Sequence, residues 1–269
     1  MDRPLWRPSE SQVRHANMAR FMAQVEADWG KPVASYEALY TFSIENNERF
    51  WASLKTFAGI RAETWGERVV ENPDRMPGAR WFPEARLNFA ENLLRRRDDS
   101  DAIVFRGENQ IRRRLSYAEL YSEVSRLAQA LRELGITTGD RVGGILSNMP
   151  ENVIAMLATT SIGAIWSSCS PDFGAEAILD RFGQIQPKAL FAVDGYMYNG
   201  KTVDCLERAK EVGARLSSLL QVVVVPYAGS IKASRCVPKA IDYGDFISSY
   251  RPKDIDFTFL PFDHPVYIL

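Results

Sequence analysis

The sequence predicts an α/β protein in which a helical N-terminal region precedes a mostly parallel, helix-covered sheet. Two observations carry this prediction. From Asp101 onward, short apolar segments alternate with segments of helical periodicity, which is the order that right-handed crossovers between parallel strands produce. The predicted strands are also continuous apolar runs, as expected for a sheet that is covered on both faces.

Residues 1–100 form the predicted helical extension. A helix is expected to begin after Ser9, where Gln12 completes a capping box, and to end at Gly30. A second helix is expected over Ser43–Lys55 with Ser43 as its N-cap, and a short third one over Asn88–Arg97.

Residues 101–269 form the predicted α/β domain, and the residues Ser116 and Glu119 make a second capping box before its first helix. Pro150 suits the first turn of the next helix because that position needs no N–H. The expected strands are Ala102–Arg106, Gln110–Leu115, Arg141–Ser147, Ala164–Ser168, Lys188–Val193, Leu219–Val225 and His264–Leu269. The expected helices begin at Ser116, Pro150, Glu176 and Thr202.

Charge and composition exclude several classes of protein. The chain has 269 residues with 33 Lys and Arg against 34 Asp and Glu, so it lacks the basic surplus of a non-specific nucleic-acid binder. Three separated cysteines (Cys169, Cys205 and Cys236) and only two histidines argue against a disulfide scaffold and against a zinc site. No apolar secretory signal or membrane span is visible, so a cytoplasmic protein is expected.

The segment Gly195–Thr202 matches the pattern G-x-x-x-x-G-K-[ST] of a phosphate-binding P-loop, with a predicted strand before it and a predicted helix after it. Three bulky side chains, Tyr196, Met197 and Tyr198, are poorly suited to a loop that wraps phosphates. Two other interpretations remain: a surface turn with an exposed lysine, and a basic loop that contacts a phosphate without being a P-loop.

The segment Cys169–Gly174 joins a strand to a helix. Asp172 or Gly174 is suited to cap that helix, whose free N–H groups favour an anion. A simple turn between strand and helix explains the same residues, and Arg181 by itself reads as a surface residue.

The apolar end of the chain, His264–Leu269, is expected to be a buried strand. Because a domain seldom stops inside such a strand, we expect this chain to be part of a longer protein.

Long stretches of the sequence resemble the acyl-adenylate-forming enzymes of the acetyl-CoA synthetase group. The stretches are Trp81–Asn88, Ser116–Leu120, Gly139–Val142 and Asn148–Gly174. The opening Leu5–Ser9, the helix Phe42–Trp51 and the Cys169–Gly174 turn resemble the acetoacetate-activating branch more than the acetate enzymes.

The resemblance implies a ligase that converts a carboxylate and ATP, with Mg²⁺, to an acyl-adenylate and then transfers the acyl group to coenzyme A. Acetoacetate is the expected acid, with acetate, propionate or another short acid as alternatives. The domain formed by residues 101–269 is then an incomplete AMP-binding domain, and the chain alone is expected to be inactive.

The resemblance further implies which residues lie on the coenzyme A side, whereas no catalytic or metal-binding residue is assigned. The coenzyme A residues are Ser170, Pro171, Asp172, Phe173, Arg181, Asn199, Gly200 and Lys201. A P-loop nucleotide-binding protein using Gly195–Thr202 and a non-catalytic binding fragment remain alternative functions. The oligomeric state is not predicted.

Overall fold

The computed structural model describes residues 4–108, 111–229 and 237–269. Its chain divides into two compact units: the first runs to Ala85 and includes Pro261–Asp263, and the second comprises Arg86–Leu260 and His264–Leu269. The second unit thus takes in Arg86–Ser100, which the sequence division assigned to the extension. Cys236 and Gln110 lie outside the described residues.

The first unit is mainly helical, as expected. Its core is formed by Phe21, Val25, Val33, Leu39 and Phe42. Its elements are α1 (Glu10–His15), α2 (Asn17–Trp29), α3 (Tyr36–Glu45), α4 (Asn47–Phe57) and the antiparallel pair β1 (Val70–Glu71) and β2 (Arg80–Trp81).

Helix ends in the first unit confirm some capping predictions and overturn another. The Ser9–Gln12 capping box and the left-handed Gly30 are present, although the chain leaves helical geometry at Ala16. Ser43 is not an N-cap: α3 begins earlier, capped by Ser35, whose Oγ accepts from the Ala38 N–H at 3.2 Å. Ser43 instead lies inside α3 and donates to the Tyr40 carbonyl.

The second unit contains the remaining elements. They are β3 (Arg86–Leu87), α5 (Phe89–Leu93), β4 (Asp101–Arg106), β5 (Arg112–Ser116), α6 (Tyr117–Glu133), β6 (Arg141–Ile145), α7 (Pro150–Ser161), β7 (Ile165–Cys169), α8 (Ala175–Ile185), β8 (Ala189–Val193), β9 (Gly195–Tyr198), β10 (Lys201–Asp204), α9 (Leu206–Arg215), β11 (Gln221–Val225), β12 (Ala240–Asp242), α10 (Tyr243–Ile247) and the first residue of β13 (Leu260–Pro261), whose second residue is assigned to the first unit. The Ser116–Glu119 capping box and Pro150 in the first turn of α7 are both as predicted.

The main sheet has five strands in the order β12-β11-β8-β6-β7, and every neighbouring pair is parallel. All residues of β8 and most of β11 are buried, which confirms the prediction from their apolar runs. Residues of α6, α7 and α10 pack in one core cluster, and residues of α8 and α9 pack in a second one.

This order is that of a doubly wound sheet. The first strand, β6, is followed by β7 on one side, and β8 and β11 then extend the sheet on the other side. Such a reversal leaves a crevice beyond the carboxyl ends of the strands, and ligands bind in that crevice.

Three sequence expectations in this unit are wrong. The short helix α5 ends at Leu93 rather than Arg97. The helix expected from Thr202 is absent because Lys201–Asp204 forms β10, and α9 begins at Leu206. His264–Leu269 is extended but not buried: it alternates between half-buried and exposed residues and makes one parallel bridge, from Tyr267 to Trp166 of β7.

An ion pair lies at the amino end of the sheet, opposite the crevice. Asp140 precedes β6 and is 2.8 Å from the Lys188 ammonium, which precedes β8. The Asp140 carboxylate also accepts from the Thr137 N–H and hydroxyl, both at 2.9 Å. Burial alone would raise the pKa of Asp140, but the hydrogen bonds from Lys188 and Thr137 outweigh it and lower the pKa below its ordinary value.

We expect Asp140→Asn to lower the free energy of unfolding at pH 7 by about 1–2 kcal/mol. Because the folded-state pKa lies below the unfolded value, the Asp140 contribution is complete above the unfolded pKa and is lost as pH falls through the folded pKa. When urea unfolding is measured from pH 7 to pH 3, the difference in free energy of unfolding between wild type and Asp140→Asn should therefore become smaller. A difference that stays constant with pH would contradict this assignment.

Candidate functional site

A cleft of about 540 Å³ lies beyond the carboxyl ends of the strands. Segments that follow β6, β7, β8 and β11 form its walls, together with the end of β4 from the separate β4–β5 pair. The cleft therefore occupies the crevice that the strand order predicts. Its lining residues are Phe105, Arg106, Gly107, Glu108, Leu146, Ser147, Asn148, Asn152, Ser168, Cys169, Ser170, Pro171, Asp172, Tyr196, Met197, Tyr198 and Tyr227.

The turn after β7, Cys169–Gly174, is organised around Asp172. One carboxylate oxygen accepts from the Ser170 hydroxyl at 2.9 Å, and the other accepts from the Tyr196 hydroxyl. The Asp172 N–H in turn donates to Ser170 Oγ at 3.2 Å. Both carboxylate oxygens therefore have donors from within the cleft wall.

These contacts set the charges in the cleft. The hydrogen bonds from Tyr196 and Ser170 lower the pKa of Asp172, so its carboxylate is ionised. The same bond raises the pKa of Tyr196 to about 12, which keeps the phenol protonated. Burial raises the pKa of the Cys169 thiol to about 11, and the charge of Arg181 offsets this only in part. Cys169 is therefore a weak nucleophile at neutral pH.

Gly174, rather than Asp172, is the N-cap of α8, and no side chain caps this helix. The Asp172 carboxylate faces Ser170 and Tyr196 instead. Arg208 of α9 donates to the Pro171 carbonyl, and its charge also acts on the Asp172 carboxylate. The turn is thus held both by the segment after β8 and by α9.

Phe173 and Arg181 do not line the cleft. The Arg181 guanidinium lies 4.6 Å from the Phe173 ring centroid and donates to the Ala177 carbonyl at 2.8 Å. These two predicted site residues contact each other, Phe173 from the turn and Arg181 from the second half of α8.

The segment Gly195–Thr202 is a β-hairpin, so the P-loop interpretation is wrong. Asn199 and Gly200 both have positive φ, +50° and +72°, as a two-residue type I′ turn requires. Tyr198 faces Lys201 across this turn, and Thr202 continues β10 instead of starting a helix. A P-loop depends on a helix N-terminus directly after its lysine and threonine, and the hairpin has none.

The hairpin contributes to the cleft through β9 rather than through its tip. Tyr196, Met197 and Tyr198 line the cleft, whereas Asn199, Gly200 and Lys201 lie outside the lining. The Gly200 N–H donates to a Glu108 carboxylate oxygen at 3.2 Å, which brings the tip next to the cleft.

Sequence reasoning missed an aromatic wall made of Phe105, Tyr196, Tyr198 and Tyr227. The Phe105 and Tyr227 rings meet edge to face with centroids 5.9 Å apart. The sequence feature that these four residues share is that each one lies at or just after the end of a strand.

Two buried carboxylates position the segments that carry this wall. Asp194 Oδ1 accepts from the Tyr227 and Ala228 N–H groups at 2.7 and 2.9 Å. Glu151, in the first turn of α7, accepts from Arg113 of β5 at 2.6 Å and so holds the hairpin β4–β5 that carries Phe105.

Among residues 4–108, 111–229 and 237–269, no three His, Cys, Asp or Glu side chains come together in a group that could hold a metal ion. In the same described part of the chain, no helix has both the length and the apolar content needed to cross a bilayer.

A doubly wound sheet with a cleft at its carboxyl edge places this chain among the α/β proteins that bind ligands at that edge. Within that class, this chain belongs to the AMP-binding enzyme family, whose model matches residues 89–255. The model of the acetyl-coenzyme A synthetase N-terminus matches residues 36–93.

The similar proteins include several acetoacetyl-CoA synthetases. One from Rhizobium meliloti (strain 1021) is 45% identical over 100% of this chain and 41% of the relative. One from Danio rerio is 38% identical over 98% of this chain and 40% of the relative. A malonamoyl-CoA synthetase from Penicillium aethiopicum is 33% identical over 98% of this chain and 38% of that protein.

A solved acetoacetyl-CoA synthetase from Streptomyces lividans has the same fold, with a TM-score of 0.91 and 36% identity over 100% of this chain and 41% of that structure. The chain therefore spans about 40% of the length of the relatives that it matches.

Proposed function

We propose that this chain is the coenzyme A side of a ligase that activates acetoacetate with ATP and transfers the acetoacetyl group to coenzyme A. The observation that carries the proposal is the cleft at the carboxyl edge of the sheet, lined by Ser170, Pro171 and Asp172. Identity of 45% to an acetoacetyl-CoA synthetase along the whole chain supports it.

The chemistry of the cleft suits coenzyme A, which is an extended, anionic thiol that contains a nucleotide. The aromatic wall offers flat apolar faces to an adenine ring. Asn148 and Asn152 offer amide groups to the amide-rich arm of coenzyme A. Lys201, exposed at the hairpin tip beside the cleft, offers a point charge to a phosphate.

Of the eight residues assigned to this side, Ser170, Pro171 and Asp172 have direct access to the cleft. We propose that Asn199, Gly200 and Lys201 act at its rim. Phe173 and Arg181 then support the turn from behind, through their stacked contact.

Acetoacetate is the acid that we propose, because the acetoacetyl-CoA synthetases cover almost the whole chain. Other short acids are the alternative, because a malonamoyl-CoA synthetase is also among the relatives. The described residues offer no metal site of their own, so we propose Mg²⁺ only as the ion that accompanies ATP. We assign the reaction to the cytoplasm, in keeping with the free thiols of Cys169 and Cys205.

The test is a calorimetric titration of the 269-residue chain with coenzyme A. Lys201→Ala should weaken binding about five- to tenfold, since it removes one charge-assisted contact to a phosphate worth about 1 kcal/mol. The difference in affinity between wild type and Lys201→Ala should become smaller at high salt, because salt screens an exposed charge pair.

Lys210→Ala is the matched control. Lys210 is an exposed lysine on α9, paired with Glu207 at 3.5 Å and outside the cleft lining. Equal weakening in both variants would indicate non-specific attraction, and no binding by the wild-type chain would contradict the site.

A further inference from the structure

We propose that Tyr196 is a positioning residue for coenzyme A: its hydroxyl bridges the cleft to Asp172 and fixes the turn Cys169–Gly174. This inference rests on the proposed function of the cleft and adds a residue to it that the sequence did not indicate.

The bridge crosses the end of a strand. Tyr196 lies on β9, directly after β8, and Asp172 lies after β7. In the sheet, β6 separates β8 from β7, so the two strands are about 10 Å apart at the usual spacing. The Tyr196 side chain reaches across this gap to the Asp172 carboxylate. It thereby joins the two walls of the cleft above β6.

Besides Tyr196, the Asp172 carboxylate interacts with the Ser170 hydroxyl and with the charge of Arg208. Its other carboxylate oxygen accepts from Ser170, and it does not cap α8. Arg208 of α9 also donates to the Pro171 carbonyl. Tyr196 and Arg208 thus both hold this turn, one from β9 and the other from α9.

This contact controls geometry more than overall stability. Tyr196 is half-buried and Asp172 is exposed, so removal of one hydroxyl leaves neither a cavity nor a deeply buried unpaired group. Removal of the hydroxyl instead loosens the turn. Two hydrogen bonds then remain within it: the Ser170 hydroxyl donates to Asp172, and the Phe173 N–H donates to the Ser170 carbonyl at 3.3 Å. A looser turn binds a ligand less tightly because binding must then order it.

The main test is Tyr196→Phe in the 269-residue chain. We expect the Kd for coenzyme A to rise about three- to tenfold, which is the range for the loss of one ordinary hydrogen bond. The melting temperature should stay within about 2 °C of wild type, while amide hydrogen exchange at Asp172 and Phe173 becomes faster. Tyr40→Phe, at an exposed tyrosine on α3, is the control for the substitution itself.

Variants of Asp172 separate positioning from a general structural effect. Asp172→Ala removes the acceptor, so Tyr196→Phe combined with Asp172→Ala should weaken binding no more than Asp172→Ala alone. Asp172→Asn keeps an acceptor for Tyr196, and the Ser170 hydroxyl can reverse its role toward the new amide. Its Kd should therefore stay at least about threefold below that of Asp172→Ala.

The outcomes are distinct. A wild-type chain that binds coenzyme A while Tyr196→Phe binds equally well overturns this inference and leaves the proposed function standing. Additive effects of the two substitutions also overturn it. A wild-type chain that binds no coenzyme A overturns both the proposed function and the inference.

Discussion

Asn88→Ala is expected to lower the free energy of unfolding by about 3 kcal/mol, because it removes several hydrogen bonds at a buried site together with the cap of α5. The Asn88 amide donates to the carbonyls of Thr160, Ser161 and Thr258, at 3.1, 3.1 and 2.8 Å. Its Oδ1 also caps α5 by accepting from the Glu91 N–H at 3.1 Å. Asn88 is almost completely buried, so water does not replace these bonds.

Asn88→Asp separates the two roles of this side chain. Aspartate is as good an N-cap as asparagine, so the cap of α5 survives, but the two N–H donors are lost. The carboxylate would then face three carbonyl oxygens. We expect Asn88→Asp to be at least as destabilising as Asn88→Ala at pH 7, with partial recovery in acid. Urea unfolding measures both, and an aspartate variant as stable as wild type would contradict the argument.

Gly144→Ala is expected to lower the free energy of unfolding by about 2–3 kcal/mol through overpacking. Gly144 lies on β6, between β7 and β8. A Cβ there would lie 2.7 and 2.8 Å from two ring carbons of Trp166, too close for any real contact. The buried Trp166 ring packs near Phe191, at 6.2 Å between centroids, so it has little room to move away.

Gly183→Ala is the matched control for Gly144→Ala. Gly183 lies within α8, and a Cβ there would meet no atom within 4 Å. The same substitution should raise the free energy of unfolding by about 0.5–1 kcal/mol, since alanine loses less entropy in a helix than glycine. Denaturant unfolding should therefore show changes in the free energy of unfolding of opposite sign for Gly144→Ala and Gly183→Ala. Equal effects of the two substitutions would show that lack of space beside Trp166 is not the reason for glycine at position 144.

The main sheet was predictable because its signals are local. Continuous apolar runs marked β8 and β11, and the Ser116–Glu119 box marked the start of α6. The hairpin β9–β10 also had a local signal, the Asn199-Gly200 pair of a type I′ turn. The P-loop pattern over the same residues obscured that signal. A motif defined by residue types alone does not specify the helix that its chemistry requires.

The candidate site was only partly predictable, because its contacts join segments far apart in the chain. The turn at Asp172 could be found from its place between a strand and a helix. Its partner Tyr196 could not, since no spacing rule relates a residue after β8 to a turn after β7 across an intervening strand. The wall residues Phe105 and Tyr227 come from different sheets, because β4 pairs with β5 and β11 belongs to the main sheet, and they meet only in the folded chain.

The five parallel strands separate two tasks along their length. The Asp140–Lys188 pair lies at the amino end, while the loops at the other end build the cleft. Exposed loop positions can therefore be varied without touching this pair, provided that the buried Asp194 at the cleft end is kept. For protein engineers, this makes the scaffold a starting point for libraries that vary the rim of the cleft, with the strands left untouched.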